Sequence, residues 1–115
     1  KFASMKHAIL FFVLAFAACR KEAQPTTAEL IQGVWKQTTS PHAVYSFASG
    51  ICTRRVISAG VEVWRAEYAY ICEGDTVTLK NIVNGADEKW AVTFETDDKF
   101  SARTGSVFVL YLERM

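Results

Sequence analysis

From position 34 onward, apolar and polar residues alternate in short runs, each cut off by a turn signal. Runs 34–39, 44–48, 51–57, 62–72, 76–79, 90–94, 100–103 and 107–114 are rich in β-branched and aromatic residues, the pattern of strands with one buried face. Between them stand Ser40-Pro41, Ser49-Gly50, Ser58-Ala59-Gly60, Glu73-Gly74-Asp75, Asn84-Gly85, Asp97-Asp98-Lys99 and Thr104-Gly105. Asn84-Gly85 is the strongest hairpin signal, because both residues accept the positive φ that a tight turn between twisted strands needs. Breakers about 8 to 12 residues apart predict seven or eight strands in an all-β antiparallel meander, closed into a small barrel rather than built from parallel strands.

Parity assigns the inner face. Trp64, Ala66, Tyr68, Tyr70 and Cys72 share one side of their run, while Arg65 and Glu67, along with Val63, Ala69 and Ile71, share the other. Val77 and Leu79 point inward between Thr76 and Thr78. Trp64, Tyr68, Tyr70, Trp90 and Phe94 therefore face the barrel axis. They either line an apolar cavity at its mouth or fill a narrow barrel solidly.

Ahead of the first strand, residues 26–33 predict a short helical turn. Thr26 stands three residues before Glu29, as in a capping box, and Gly33 sits at the C-terminal cap. Further upstream, Met5 is a natural start, Lys6 and His7 form a basic head, and residues 8–18 are an unbroken apolar run of 11 residues. A membrane span needs about 20. The layout is that of a signal peptide, with small residues Ala17-Ala18 before Cys19. Residues 20–27 are polar with one proline and read as a tether.

Phe16-Ala17-Ala18-Cys19 resembles the bacterial lipobox, with Phe16 where that motif has an aliphatic residue. The resemblance implies cleavage before Cys19, lipid on its thiol, and anchoring in a bacterial outer membrane on its periplasmic or surface face. The competing cleavage, after Ala15-Phe16-Ala17, leaves Cys19 as a free thiol. The resulting organisation is a signal peptide at 1–18, lipidated Cys19 and tether at 19–28, and one β-barrel domain at 29–115. At 115 residues no second core fits. Removing the leader takes away Lys1 and Lys6, leaving 11 basic residues against 12 acidic. That balance excludes a nucleic-acid footprint.

A helical turn leading into Gly33-Val34-Trp35 at the first strand, with Arg114 on the last, resembles the lipocalins and the small lipocalin-like domains of bacterial lipoproteins. In those families a tryptophan closes one end of the barrel under a basic side chain. The resemblance implies that Trp35 and Arg114 are that pair. The phrase from Tyr70 to Val77 also looks like an inner hairpin of these proteins, with Cys72 in a hydrophobe's place.

Candidate chemistry is sparse. With Cys19 lipidated, Cys52 and Cys72 remain as an even pair, which suggests a disulfide in an oxidising compartment. A tight turn at Ala59-Gly60 sets Cys52 opposite Glu67 and leaves Cys72 about 16 Å away, beyond the roughly 7 Å a disulfide spans. A longer loop centred near Glu62 brings the two together, so the bridge stays open. His42 is the one histidine outside the leader and no ligand cluster surrounds it, so no metal or cofactor is expected. Asp87-Glu88 and Asp97-Asp98 read as solvated turn acids, and Arg54-Arg55 as a solvated strand edge. No nucleophile, base and orienting group converge, so no enzyme is expected. The first functional expectation is a lipid-anchored protein binding a small apolar molecule in the barrel. The alternative is an envelope lipoprotein with a filled barrel that acts on another protein, as a binding module or inhibitor. Tyr70-Ile71-Cys72-Glu73-Gly74 falls one residue short of the Tyr-x-Cys-x-x-Gly phrase of small lysozyme-inhibitor lipoproteins.

Overall fold

The computed structural model describes residues 24–105 and 108–115. The expected signal peptide, 1–18, and Cys19 lie outside the described residues. One short helix, α1 (Thr27–Leu30), precedes eight strands: β1 (Gly33–Gln37), β2 (Val44–Ala48), β3 (Ile51–Ser58), β4 (Val61–Glu73), β5 (Thr76–Asn81), β6 (Asp87–Thr96), β7 (Lys99–Thr104) and β8 (Phe108–Arg114). Each pairs antiparallel with the next, and β1 pairs with β8 through Trp35 opposite Arg114, so the meander closes into a barrel with no free first or last strand.

Alternation sets the packing. Trp35, Tyr45, Phe47, Cys52, Val77, Leu79, Trp90, Val92, Phe100, Ala102, Leu110 and Leu112 all point inward and are buried. Because hairpin connections alternate, Gly33 and the turns at 49–50, 74–75 and 97–98 gather at one end with α1. The connections at 38–43, 59–60 and 82–86, with the end of β7 and the start of β8, gather at the other. In the middle and toward the α1 end the interior is solid aromatic packing. Trp35 meets Phe100 edge-on at 4.7 Å and Phe94 at 6.0 Å, and Phe47 meets Tyr70 at 5.1 Å and Trp90 at 6.0 Å. Such edge-to-face pairs add about 0.5–1.5 kcal/mol each beyond their burial.

Three details depart from the sequence reading. The turn carrying Asn84-Gly85 is a five-residue connection, 82–86, held by Asn81 Oδ1 accepting from Val83 N (2.8 Å) and Asn84 N (3.1 Å). A register shift between Val56 and Ile57 lets the tight Ala59-Gly60 turn coexist with Cys52 opposite Tyr68, one place beyond Glu67. Cys72, paired with Val77, then lies four residues farther along β4, about 13 Å away. Both cysteines are free thiols, and the Cys52–Cys72 bridge is not formed.

The third departure concerns Trp64. Its parity is inward, opposite Val56, but β4 outruns its neighbours. β5 pairs with β4 only from Tyr68 onward and β2 pairs with β3 only as far as Arg55. The β3–β4 hairpin therefore overhangs the barrel rim and leaves Trp64 46% exposed.

Candidate functional site

The two ends of the barrel differ in chemistry. At the α1 end, Thr26 makes the predicted capping box with Glu29, with Thr26 N donating to Glu29 Oε1 at 2.8 Å. Thr27 Oγ1 donates to Asp75 Oδ1 at 2.7 Å, and Gln32 Nε2 to the Tyr70 hydroxyl at 2.7 Å, tying α1 to the β4–β5 hairpin. Ile31, just after the helix, is fully buried, and its carbonyl accepts from Trp35 Nε1 at 2.8 Å. The Arg114 guanidinium lies 4.2 Å from the Trp35 ring. It donates from Nη1 to Gln32 O (2.9 Å), from Nη2 to Leu30 O (3.0 Å) and Asp97 O (2.9 Å), and from Nε to Asp98 Oδ1 (2.9 Å). One planar cation thus satisfies carbonyls from the helix end and from a turn while capping the indole. Gly33 has φ +124°, and a Cβ there would come within 2.7 Å of Arg114 Nη1. Only glycine lets the strand pass so close. This end is a plug.

The opposite end opens into a recess of about 330 Å³. Pro41, Ala43, Val56, Phe108 and Leu110 form its walls, and Tyr45, Arg54, Glu88, Gln37 and Thr104 supply polar groups. Arg54 and Glu88 correct the sequence reading. Arg54 shares the inward parity of Cys52 and Val56, and Glu88 that of Trp90, so both sit inside the barrel, while Arg55 alone of the basic pair belongs to the outer wall. Arg54 Nη2 donates to both Glu88 oxygens (3.0 and 2.9 Å) and Nη1 to the Tyr68 hydroxyl (3.1 Å). Its guanidinium packs 5.0 Å from each of the Tyr45 and Tyr68 rings. Burial, the largest influence, works against its charge, yet Tyr45, Glu88 and Tyr68 together hold its pKa above the ordinary arginine value. Glu88 also accepts from Trp90 Nε1 at 2.7 Å. Arg54 Nε alone is buried without a partner among the described residues.

None of the five aromatic residues expected to line a cavity borders this recess. Tyr70 and Trp90 belong to the packed interior, and Phe94, partly buried against the core, borders the hollow beside α1 instead. Tyr68 is buried and reaches the site through Arg54, while Trp64 is on the overhang. A larger hollow of about 470 Å³ lies on the outer wall across β6, β7 and β8, among Thr93, Ser101 and Tyr111, with Lys99 and Glu113 paired at 3.9 Å beside it. It does not enter the barrel. Among the described residues no three potential metal ligands cluster.

Comparison with family models, curated proteins and solved structures returned no match. Geometry alone therefore describes the site.

Two buried acids give the barrel an alkaline limit. Burial pushes the Tyr45 hydroxyl up to about 12, with Arg54 pulling back and Glu88 pushing further, and burial pushes the Cys52 thiol up to about 12. Both groups hold their protons more tightly folded than unfolded. Their contribution is intact below about pH 9, the ordinary thiol range, and is lost as pH rises through 12. Together they are worth about 7 kcal/mol. Urea midpoints measured between pH 8 and 11.5 are expected to fall steeply above 9, and Cys52→Ala is expected to lose the lower part of that slope.

Proposed function

We propose that the protein is an extracytoplasmic, lipid-anchored binding protein of lipocalin-like kind that takes a small apolar or amphipathic molecule at the open end of its barrel. One observation carries the reading. Trp35 and Arg114 cap the barrel axis at the α1 end, beside the hollow under the helix, while the other end opens into an apolar-walled recess of about 330 Å³ whose floor is polar. That volume lies at the small end of the range for ligand pockets, about 300–1,000 Å³, which suits a short molecule or one end of a longer one. The lipid on Cys19 and the membrane location rest on the leader and its lipobox-like residues.

The test is saturable binding across a library of lipids and short amphiphiles, followed by native mass spectrometry and by emission of Trp90 beneath the recess. Val56→Trp, which narrows the recess from its wall, is expected to abolish binding while circular dichroism stays that of the parent. Silence across the library from the folded parent protein would defeat the reading.

The exposed apolar overhang, with Val61 62%, Val63 60% and Trp64 46% exposed, favours the second reading, a module that docks a protein. Under the first reading Trp64→Ser leaves ligand affinity intact. Under the second no small molecule binds.

A further inference from the structure

The recess floor holds one cation and one anion that already satisfy each other. Arg54 donates to both oxygens of Glu88, so the floor is close to neutral, with Arg54 Nε the one buried donor left over among the described residues. Around that pair stand polar groups without partners. The hydroxyls of Tyr68 and Tyr70 accept from Arg54 and Gln32, but the hydroxyl of Tyr45, a residue 3% exposed on the recess floor, makes no hydrogen bond among the described residues. Gln37, also 3% exposed, uses its amide nitrogen on Thr39 Oγ1 at 3.3 Å, which leaves its carbonyl oxygen without a donor. Neither atom is sealed from solvent, since Arg54 Nε is the one buried side-chain polar atom without a partner among the described residues, so both are open to a ligand group entering the recess. A hydroxyl can donate or accept, and an amide oxygen accepts. Above them the walls are Ala43, Val56, Phe108 and Leu110.

Resting on the binding reading above, we infer that the recess selects an uncharged amphiphile whose head both donates and accepts a hydrogen bond, such as a primary amide or an alcohol, on a short apolar chain. The head meets Tyr45 and Gln37, and the chain lies along Ala43, Val56, Phe108 and Leu110 toward the rim. A carboxylate or an ammonium would lose its hydration beside a pair whose two charges already neutralise each other, with no free counter-charge to offset that cost.

Four probes of one chain length test this: octanamide, 1-octanol, octanoate and octylammonium, titrated by calorimetry into the full-length folded protein. Octanamide and 1-octanol are expected to bind at least tenfold more tightly than either ion. Tyr45→Phe, which removes one hydroxyl and keeps the ring, is expected to weaken octanamide about five- to tenfold. Glu88→Gln keeps an acceptor facing Arg54 but unmasks the cation, and is expected to raise octanoate affinity relative to octanamide at least tenfold. Equal or tighter binding of octanoate or octylammonium to the parent, or octanamide affinity unmoved in Tyr45→Phe, overturns the head-group assignment and leaves the binding reading standing. A Glu88→Gln variant with unchanged preference also overturns it. Failure of all four probes to bind overturns both.

Discussion

Glu88→Ala is expected to destabilise the barrel by about 3 kcal/mol, far more than loss of a surface carboxylate. Removing one member of a buried pair strands the other charge, at a cost of about 3–5 kcal/mol where burial is complete. Here the side chains are 18% and 31% exposed for Arg54 and Glu88, which moderates the figure. The variant also frees the Trp90 indole N–H. The companion measurement separates the pair's worth from the penalty of breaking it. Arg54→Met combined with Glu88→Leu removes both charges and fills the space, and such exchanges are often neutral or stabilising. Because Tyr68 and Trp90 each lose a partner, the double variant is expected within about 2 kcal/mol of the parent. Urea unfolding with an unchanged m-value is the readout. A double variant as unstable as Glu88→Ala would mean that the pair itself, and not the stranded charge, supports the fold.

Arg114→Ala is the second large effect, expected at about 3 kcal/mol. It removes the cation over Trp35, worth about 0.5–2 kcal/mol, and it strips donors from the carbonyls of Leu30, Gln32 and Asp97. Arg114→Lys is expected to recover less than half, since an ammonium cannot span those acceptors with one rigid plane. The close passage at Gly33 supplies an internal control. In the parent, Gly33→Ala suffers both the strained φ of +124° and the approach to Arg114 Nη1, while in the Arg114→Ala background only the backbone strain is left. The two substitutions together are therefore expected to cost less than the sum of each alone, and strict additivity would show that the guanidinium yields freely.

The architecture was readable because period-two alternation and turn residues act locally. Val77 and Leu79 against Thr76 and Thr78, or Trp90, Val92 and Phe94 in one line, commit a face without knowledge of their neighbours. The Thr26 and Glu29 cap was readable for the same reason. The polar floor was not. Arg54 and Glu88 lie 34 positions apart on strands that are not sequence neighbours, and each sits beside a like-charged residue, Arg55 or Asp87, that belongs outside. Adjacency suggested solvated pairs. Parity with Cys52 and Val56, and with Trp90 and Val92, was the signal that would have placed them inside. Trp64 shows the opposite limit, since parity names a face but not where along the axis the barrel ends. The cysteine register turned on a single shifted residue between Val56 and Ile57, which no local pattern announces.

The clasp of Arg114 on Gln32 joins groups 82 positions apart, and the pairing of β1 with β8 spans nearly the same stretch. Every other strand pair can form as its hairpin emerges from the ribosome, but this last seam must wait until residue 114 has been made. Until then β1 and β7 both present bare edges, and Trp35 has no lid. Closing so long a loop is entropically costly and slow relative to hairpin formation. During that interval a nascent chain holds most of its ladder yet is not a barrel, and it is then most open to pairing with a neighbour.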